Sequence, residues 1–541
     1  MKYTFNHYPL STSANLSFFT GASCSDQSWM GRIWRRCVPQ CTVGKIVKIT
    51  LLAGVALASL WSFYRPQSQG LLSAPVLDHN TPNGMREAWP YSIPLDMPLS
   101  PVINAHANFT TIDARVAQYI KHYEQQAHHL KAFVAKILSD GGKIVNGTGA
   151  GFEGVGTSGI YFIKDKVGKT IALFKPEDEG TWKPNNPNPE FRKRALTADD
   201  IYFHQANGWE QGQTGKRQQL AEMLHIGHKV RPPRGVLTTL ESDQFFDHQL
   251  HAQGEKCSLT KTGYLQEWVH HTKPLISFHP TFKEVLPSDD PHRNVLQFQD
   301  NPILSAISLD EFQEIGINDI LLLNEDRNTG NLLVKYDENH QLKIIPIDHD
   351  TIYPWKLEVF RGIYVHDNAK KPFTATSLKM IQALDPDFIE QLVEKMQLSE
   401  QAPINAKAIT MVLKSFAAAG ATLRDVYNFM AAPLGGVVGE TSQLWKLMQQ
   451  VQEAAISSLP KEDKMMYAYA KHLRRNNWCK AVNQTWCKTM PSQQEKSAAD
   501  WYQSYKSKHA DRIEFQIKTA FWKEFEQQLA HVVNTTLCGR K

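Results

Sequence analysis

Two acidic stretches at a fixed spacing constrain this chain of 541 residues more than any other feature. The first, LLLNEDRNTGNLLV, begins at Leu321, and the second, IIPID, ends at Asp348. The apolar, partly β-branched residues at 332–336 and 342–347 are separated by a polar turn cluster, which predicts a β-hairpin. Because a hairpin returns the chain to its start, we expect Asp348 to lie close to Asn331.

Phosphoryl transfer needs a group that orients the attacking hydroxyl and oxygen ligands for a divalent cation, and these stretches supply both. Asp326 stands on a polar loop suited to the first task, and Asn331 follows within reach of a cation. Asp348 can hold the same cation beside the nucleotide phosphates, and Mg²⁺ suits such sparse oxygen ligands. The other interpretation is an ordinary polar turn with Asp348 as a strand-end residue, because short acidic motifs arise by chance.

A glycine-rich block lies upstream of these stretches. It contains Gly154, Gly156, Ser158 and Gly159 and leads into two apolar strand patterns, the second ending at Lys175. Glycines let backbone amides approach a phosphate closely, a serine hydroxyl adds a donor, and a lysine neutralises phosphate charge. Such a loop can also be only a flexible connection. The order of glycine loop, lysine and then the Asp, Asn and Asp set is nevertheless the order of the parts in a kinase.

Several motifs in a fixed order carry a resemblance to a known family. They are GTSGIYFIKDKVGKTIALFKPEDE, VRPP, NEDRNTGNLLV, IIPIDHD, KPFTATSLKMIQALDP and LKSFAAAGATLRDVYNFM. Together they resemble the type II phosphatidylinositol 4-kinase family, particularly its plant-like branch, over roughly residues 150–430. The resemblance implies an α+β, bilobal kinase-like fold with a β-rich N-lobe and a mainly helical C-lobe. It also implies a phosphotransferase that uses ATP with Mg²⁺, or with Mn²⁺ in its place.

The same resemblance assigns roles to individual residues. Lys175 becomes the nucleotide-phosphate lysine, Asp326 the catalytic aspartate, and Asn331 and Asp348 the metal ligands. Residues 264–269 resemble the hinge whose backbone binds adenine, although a buried amphipathic strand is the alternative. The implied nucleotide-binding residues are Gly154, Gly156, Ser158, Gly159, Lys175, Gln266, Glu267 and Val269.

The chain departs from the pattern of that branch at three places. Asn328 stands where a histidine is usual, and Asp350 stands where glycine or another small residue is usual. The helix glutamate that pairs with the lysine falls at Gln218, so Glu222, one helical turn later, is the predicted partner of Lys175. Each departure favours an altered or degenerate enzyme, and Asp350 could be a third metal ligand or reshape its loop.

Composition shifts along the chain, together with the family resemblance, predict five segments. They are a polar basic region at 1–45, a candidate transmembrane segment at 46–64, a Pro-rich linker at 65–110, a kinase-like catalytic domain with a leading helix at 111–440, and a helical C-terminal extension at 441–541.

The segment at 46–64 carries the strongest signal outside the catalytic motifs. Residues 49–64 are uncharged, and basic residues crowd their N-terminal side. An uncharged run of this kind is slightly short for a spanning helix, which takes about 20 residues. We predict a single-pass membrane protein anchored by this segment, with the side of the membrane left open. A cleavable signal peptide and a buried helix are the alternatives.

Net charge and the catalytic motifs leave three functional hypotheses. A formal charge of +5 without a long basic run does not indicate nucleic-acid binding. The first hypothesis is a kinase that phosphorylates an inositol phospholipid at a membrane. The second is a protein Ser/Thr kinase on the same fold, and the third is a membrane-tethered scaffold with an impaired nucleotide site. Both chemistries need the same residues, so the sequence leaves the acceptor open.

Overall fold

A computed structural model describes the chain from residue 111 onward, with gaps. The described residues are 111–147, 158–180, 183, 185–188, 213–227, 229–247, 250, 258–278, 298–299, 301–324, 326–337, 340–353, 362–399, 401–431, 442–466 and 492–538. Gly154 and Gly156, the candidate transmembrane segment at 46–64 and the linker at 65–110 therefore lie outside the described residues.

An antiparallel sheet of five strands forms the first part of the structure. Its strands are β1 (Lys143–Asn146), β2 (Tyr161–Lys164), β3 (Thr170–Pro176), β4 (Gly235–Ser242) and β5 (Leu259–Glu267). They lie in the order β1, β2, β3, β5, β4, so that β3 sits at the centre. Burial alternates along β2 and over most of β3, as expected for strands with one face against a core.

Two helices accompany this sheet. Helix α1 (Ile112–Ser139) begins at Thr111, whose side chain accepts a hydrogen bond from the Ala114 amide. Helix α2 (Thr214–Leu224) packs against β4 and β5 and carries buried Gln218. α1 packs against β4 and also against the helical part of the structure, so it joins the two parts.

The predicted hairpin forms as expected from its sequence pattern. Strands β7 (Leu332–Tyr336) and β8 (Leu342–Pro346) pair antiparallel, with Leu332 opposite Pro346, and the short strand β6 (Lys273–Pro274) pairs with β7. This register returns the chain to its start: the Ile347 amide donates to the Asn331 carbonyl over 3.0 Å.

Helices form the remainder of the structure. They are α3 (Pro302–Ala306), α4 (Leu309–Leu321), α5 (Ala375–Ala383), α6 (Pro386–Lys395), α7 (Ala402–Ala418), α8 (Leu423–Met430), α9 (Gln443–Ser457) and α10 (Ser492–Cys538). Helix α4 begins with a capping box between Ser308 and Glu311, and every residue from Glu311 to Leu321 is buried. Because α5, α7 and α8 all pack around it, α4 is the central helix that leads into the candidate loop at 326–331.

The long C-terminal helix α10 packs against α9 and α7. It does so through apolar residues four positions apart, which form one stripe along a helix. The buried members of this stripe are Ile513, Ile517, Phe521, Phe525, Leu529 and Val533.

The α+β prediction is confirmed at the level of a β-sheet region followed by a helical part. The prediction of a single-pass membrane helix is corrected. Within the described part of the chain, no helix combines the length and apolar character needed to cross a membrane. The 46–64 segment that carried this prediction lies outside the described residues, and the prediction is withdrawn.

Candidate active site

Lys175 and Asp348 meet where the central strand of the first sheet faces the end of the β7–β8 hairpin. The Lys175 Nζ atom lies 2.5 Å from Asp348 Oδ1, and both side chains are largely shielded, with 15% and 31% of their surface exposed. Asp348 has a φ of +58°, in the left-handed region that residues other than glycine seldom adopt. Such strained backbone occurs preferentially at functional sites, where the surrounding structure imposes it.

The loop at 326–331 is ordered by its own side chains. Asn328 Oδ1 accepts from the amides of Gly330 and Asn331, at 2.8 and 3.1 Å, and so caps the short turn that precedes β7. Asn328 Nδ2 donates to Asp326 Oδ1 over 3.0 Å, and Asn331 Nδ2 donates to Asp326 Oδ2 over 3.1 Å. Two amides therefore fix both oxygens of the Asp326 carboxylate, which itself reaches solvent.

The buried Arg327 side chain anchors this loop through an ion pair and hydrogen bonds. Its Nε lies 3.0 Å from both carboxylate oxygens of Asp319 on α4. Its Nη1 donates to the carbonyls of Asn331 and Ile347, at 2.6 and 3.0 Å, and its Nη2 lies 2.8 Å from His349 Nε2. One guanidinium thus connects the central helix, the turn and the segment that carries Asp348, using its fixed fork of donors.

Three carboxylates surround the lysine. Burial opposes the charge on Lys175, yet Asp348, Asp350 and Asp326 outweigh it and raise the pKa of Lys175. Burial, followed by repulsion from Asp348, raises the pKa of Asp350 to about 7. The same two causes raise the pKa of Asp326 above its usual range. The site is therefore an acidic cluster balanced in part by Lys175 and Arg217.

Helix α2 does not supply the predicted partner of Lys175. The Glu222 carboxylate instead accepts from the Tyr123 hydroxyl and the Gly235 amide, at 2.7 and 2.8 Å, and from the Tyr264 hydroxyl at 3.4 Å. Gln218 of this helix does face the site, and its Nε2 donates to Asp348 Oδ1 over 3.3 Å. Glu222 thus belongs to a separate polar cluster between α1, α2, β4 and β5.

The sequence-predicted nucleotide residues are not all placed to meet a ligand. The Gly159 amide donates to the Glu179 carbonyl over 2.9 Å, so it is already occupied. A Cβ atom at Gly159 would lie 2.0 Å from Glu179 Oε2, so this glycine is explained by packing against Glu179. Ser158 precedes it and is partly exposed.

The three hinge candidates also differ in whether their backbone amides could meet a ligand. Gln266 is buried within β5, opposite Leu173 and Gly235, and the Glu267 amide donates to the Arg234 carbonyl over 2.8 Å. Val269 follows the strand, and no described residue accepts a hydrogen bond from its amide. Of these three backbone amides, that of Val269 is therefore the candidate donor to a ligand.

Comparison with known proteins identifies the domain that contains this site. Residues 156–425 match the profile of the family described as phosphatidylinositol 3- and 4-kinase. The chain carries a phosphatidylinositol 3- and 4-kinase domain. The matched range includes Lys175, Asp326, Asn331 and Asp348, and the expected family resemblance is confirmed.

Plant proteins are among the curated relatives of the kinase domain. Phosphatidylinositol 4-kinase gamma 5 of Arabidopsis thaliana is 29% identical over 285 residues, which cover 51% of this chain and 41% of the relative. Phosphatidylinositol 4-kinase gamma 6 of the same species is 28% identical, with 53% and 44% covered. Phosphatidylinositol 4-kinase gamma 4 of Oryza sativa subsp. japonica is 26% identical, with 57% and 49% covered. The chain thus spans less than half the length of these relatives.

Two oxygen atoms in the kinase domain fit a hard divalent cation. The amide nitrogen of Asn331 is held by Asp326, and no described residue donates to its Oδ1 or to Asp348 Oδ2. Oxygen ligands with open positions suit Mg²⁺, which usually keeps several waters and binds substrate phosphates. No group of three His, Cys, Asp or Glu side chains in the described part of the chain could hold a metal by itself. The donor set therefore fits a cation shared with a nucleotide.

The sequence did not predict the buried polar group that anchors the candidate loop, namely Arg327, Asp319 and His349. One signal for it was present: Asp319 lies in the strongly apolar pattern of α4, where an acidic residue requires a partner. The sequence does not specify the partner, because spacing along the chain does not show that Arg327, eight residues later, folds back onto α4.

Proposed function

We propose that this kinase domain transfers the γ-phosphoryl group of ATP to a hydroxyl group of an inositol phospholipid. The observation that carries the proposal is the 2.5 Å contact between Lys175 and Asp348, which joins the central strand to the hairpin end within a matched kinase domain. In the proposed architecture, the sheet region is the N-lobe and the helical part is the C-lobe of a bilobal catalytic domain at 111–440. Residues 441–541 are then an extension.

In this mechanism, Asp326 orients the lipid hydroxyl and accepts its proton as the oxygen attacks the γ-phosphorus. The bond between the γ-phosphorus and the bridging β-oxygen breaks, and ADP leaves. Lys175 neutralises charge on the phosphates. Asn331 and Asp348 would hold Mg²⁺, which supplies further positive charge to the phosphates when bound.

Nucleotide positioning in this proposal uses few protein groups. The Val269 amide is the candidate donor to the adenine ring, and the Ser158 hydroxyl is the candidate donor to phosphate. The backbones of Gln266 and Glu267 support the strand that leads to Val269. Gly154 and Gly156 remain predicted phosphate-loop residues, on the sequence argument alone.

The names of the relatives support the choice of acceptor. Each is called a phosphatidylinositol 4-kinase, so we propose phosphatidylinositol as the lipid and the 4-hydroxyl as the position. A protein hydroxyl is the competing acceptor, because the same catalytic residues serve both chemistries.

The test is transfer of labelled γ-phosphate from ATP and Mg²⁺ by the full chain. Phosphatidylinositol vesicles and a generic protein mixture are offered separately, with Asp326→Asn and the exposed-turn control Asp243→Asn alongside. We expect label in lipid, unchanged in the control and lost by about 100-fold or more in Asp326→Asn. Label in protein alone would favour the competing acceptor, and label in neither would contradict the proposal.

A further inference from the structure

Gln218 shares one oxygen of Asp348 with Lys175. The buried Gln218 amide donates to Asp348 Oδ1 over 3.3 Å, and the Lys175 ammonium donates to the same atom over 2.5 Å. No described residue donates to Asp348 Oδ2. Both of these donors therefore hold one side of the carboxylate, and within the described part of the chain the other oxygen has no donor.

Helix α2 offers Lys175 no carboxylate. Gln218 is uncharged, and Glu222 is occupied by Tyr123, Tyr264 and the Gly235 amide. Among the described residues, Asp348 is the carboxylate within ion-pair distance of Lys175. The lysine and the candidate metal ligand consequently depend on each other for orientation.

The charge around Lys175 explains why an amide suits position 218. Asp348, Asp350 and Asp326 already act on Lys175 electrostatically. A glutamate at 218 would bring a fourth carboxylate to this lysine and would lie within reach of Asp348, where like charges repel. A neutral amide donates a hydrogen bond to Asp348 without adding charge. Gln218 and Asp350, the two departures of this chain that face the lysine, are in this respect complementary.

We propose that Gln218 is a positioning residue that orients Asp348 so that its Oδ2 atom is available to the nucleotide-bound divalent cation. This inference rests on the proposed function. Asp348 lies in strained left-handed backbone, so its side chain needs restraint from neighbouring elements. Hydrogen bonds to a carboxylate that ligates a metal characteristically fix its orientation and tune its affinity.

The test measures cation-dependent nucleotide binding, without turnover. The non-hydrolysable ATP analogue AMP-PNP is titrated calorimetrically into the full chain, first in EDTA and then at increasing Mg²⁺ concentrations. The variant Gln218→Met keeps the side-chain length and removes the donor. The matched control is Gln219→Met, since the adjacent Gln219 instead accepts from the Leu237 amide on β4.

We expect Gln218→Met to need about tenfold more Mg²⁺ for half-maximal AMP-PNP binding than wild type or Gln219→Met. Affinity in EDTA should stay within about twofold of wild type, because Gln218 acts through Asp348. A purely structural role would weaken binding equally with and without Mg²⁺.

An equal Mg²⁺ requirement in wild type and Gln218→Met would overturn this inference and leave the proposed function standing. Equal weakening in EDTA and Mg²⁺ would also overturn it. Absence of Mg²⁺-dependent AMP-PNP binding in wild type would instead contradict the proposed function itself. If Gln218→Met fails to fold, Gln218→Asn keeps a buried amide but shortens its reach by one methylene, and the same tenfold change is expected.

Discussion

Arg327 and Asp319 form a fully buried ion pair directly beneath the candidate catalytic loop. The Arg327 Nε lies 3.0 Å from both Asp319 oxygens, and the two side chains are 0% and 2% exposed. Burial raises the pKa of Asp319, while Arg327 acts to lower it. Because the same guanidinium also binds the carbonyls of Asn331 and Ile347, this pair sets the relative position of Asp326 and Asp348.

Replacement of Arg327 by methionine should therefore destabilise the domain and abolish transfer together. It leaves the Asp319 carboxylate buried without its cation, which costs about 3–5 kcal/mol. The free energy of unfolding from denaturant titration checks this. Lys370→Met is the control, since it breaks an exposed pair with Asp367 and should leave the unfolding midpoint unchanged. A stable, active Arg327→Met protein would contradict the prediction.

The Asn328 side chain has two roles, capping the turn and donating to Asp326, and a pair of substitutions can distinguish them. Asn328→Ala removes both the cap of the 329–331 turn and the donor to Asp326. Asn328→Asp keeps the accepting oxygen of the cap but places a second carboxylate against Asp326. We expect both variants to slow transfer by about 10–100-fold through misplacement of Asp326.

Thermal unfolding distinguishes the two Asn328 variants. Asn328→Ala should lower the midpoint because the turn loses its cap, whereas Asn328→Asp should stay closer to wild type. If both variants transferred phosphate at the wild-type rate, Asn328 would have no part in orienting Asp326.

The hairpin at 332–346 could be predicted because its two apolar runs flank a polar turn and thereby fix its register. The strand that leads to Lys175 and the α1 helix were equally readable from hydrophobic period. These elements could be predicted because the residue patterns that specify them are local in the sequence.

The partner of Lys175 could not be predicted in the same way. Gln218 and Glu222 are one turn apart on α2, and helical spacing alone does not say which of them faces β3. The structure turns Glu222 towards hydroxyl and amide donors from α1, β4 and β5. A tertiary contact also explains Gly159, because a Cβ atom there would lie 2.0 Å from Glu179 Oε2.

Glu222 should make stability depend on pH. Burial raises the pKa of Glu222 to about 7. An unfolded glutamate has a pKa of about 4.3, so between these values the folded chain retains a proton that the unfolded chain has released. The contribution of this group is therefore fully present below about pH 4 and is lost as the pH rises to about 7.

The variant Glu222→Gln lacks this titration and keeps an accepting oxygen. The difference in unfolding free energy, variant minus wild type, should rise by on the order of 2 kcal/mol between pH 5 and pH 8. Denaturant unfolding across this range measures it. A difference that stays constant or falls with pH would show that Glu222 is charged throughout.

The C-terminal helix should contribute to the stability of the whole domain through its apolar stripe. Phe525 is completely buried on α10, which packs against α9 and α7, and α7 packs against the central helix α4. Phe525→Ala should therefore lower the free energy of unfolding by about 3–5 kcal/mol, the usual cost of removing a buried ring. Phe515→Ala is the matched control, because Phe515 lies on the same helix with 71% of its surface exposed. Equal midpoints for the two variants would mean that α10 does not stabilise the kinase domain. A loss of stability confined to Phe525→Ala would mean that the extension and the catalytic helices unfold as one cooperative unit.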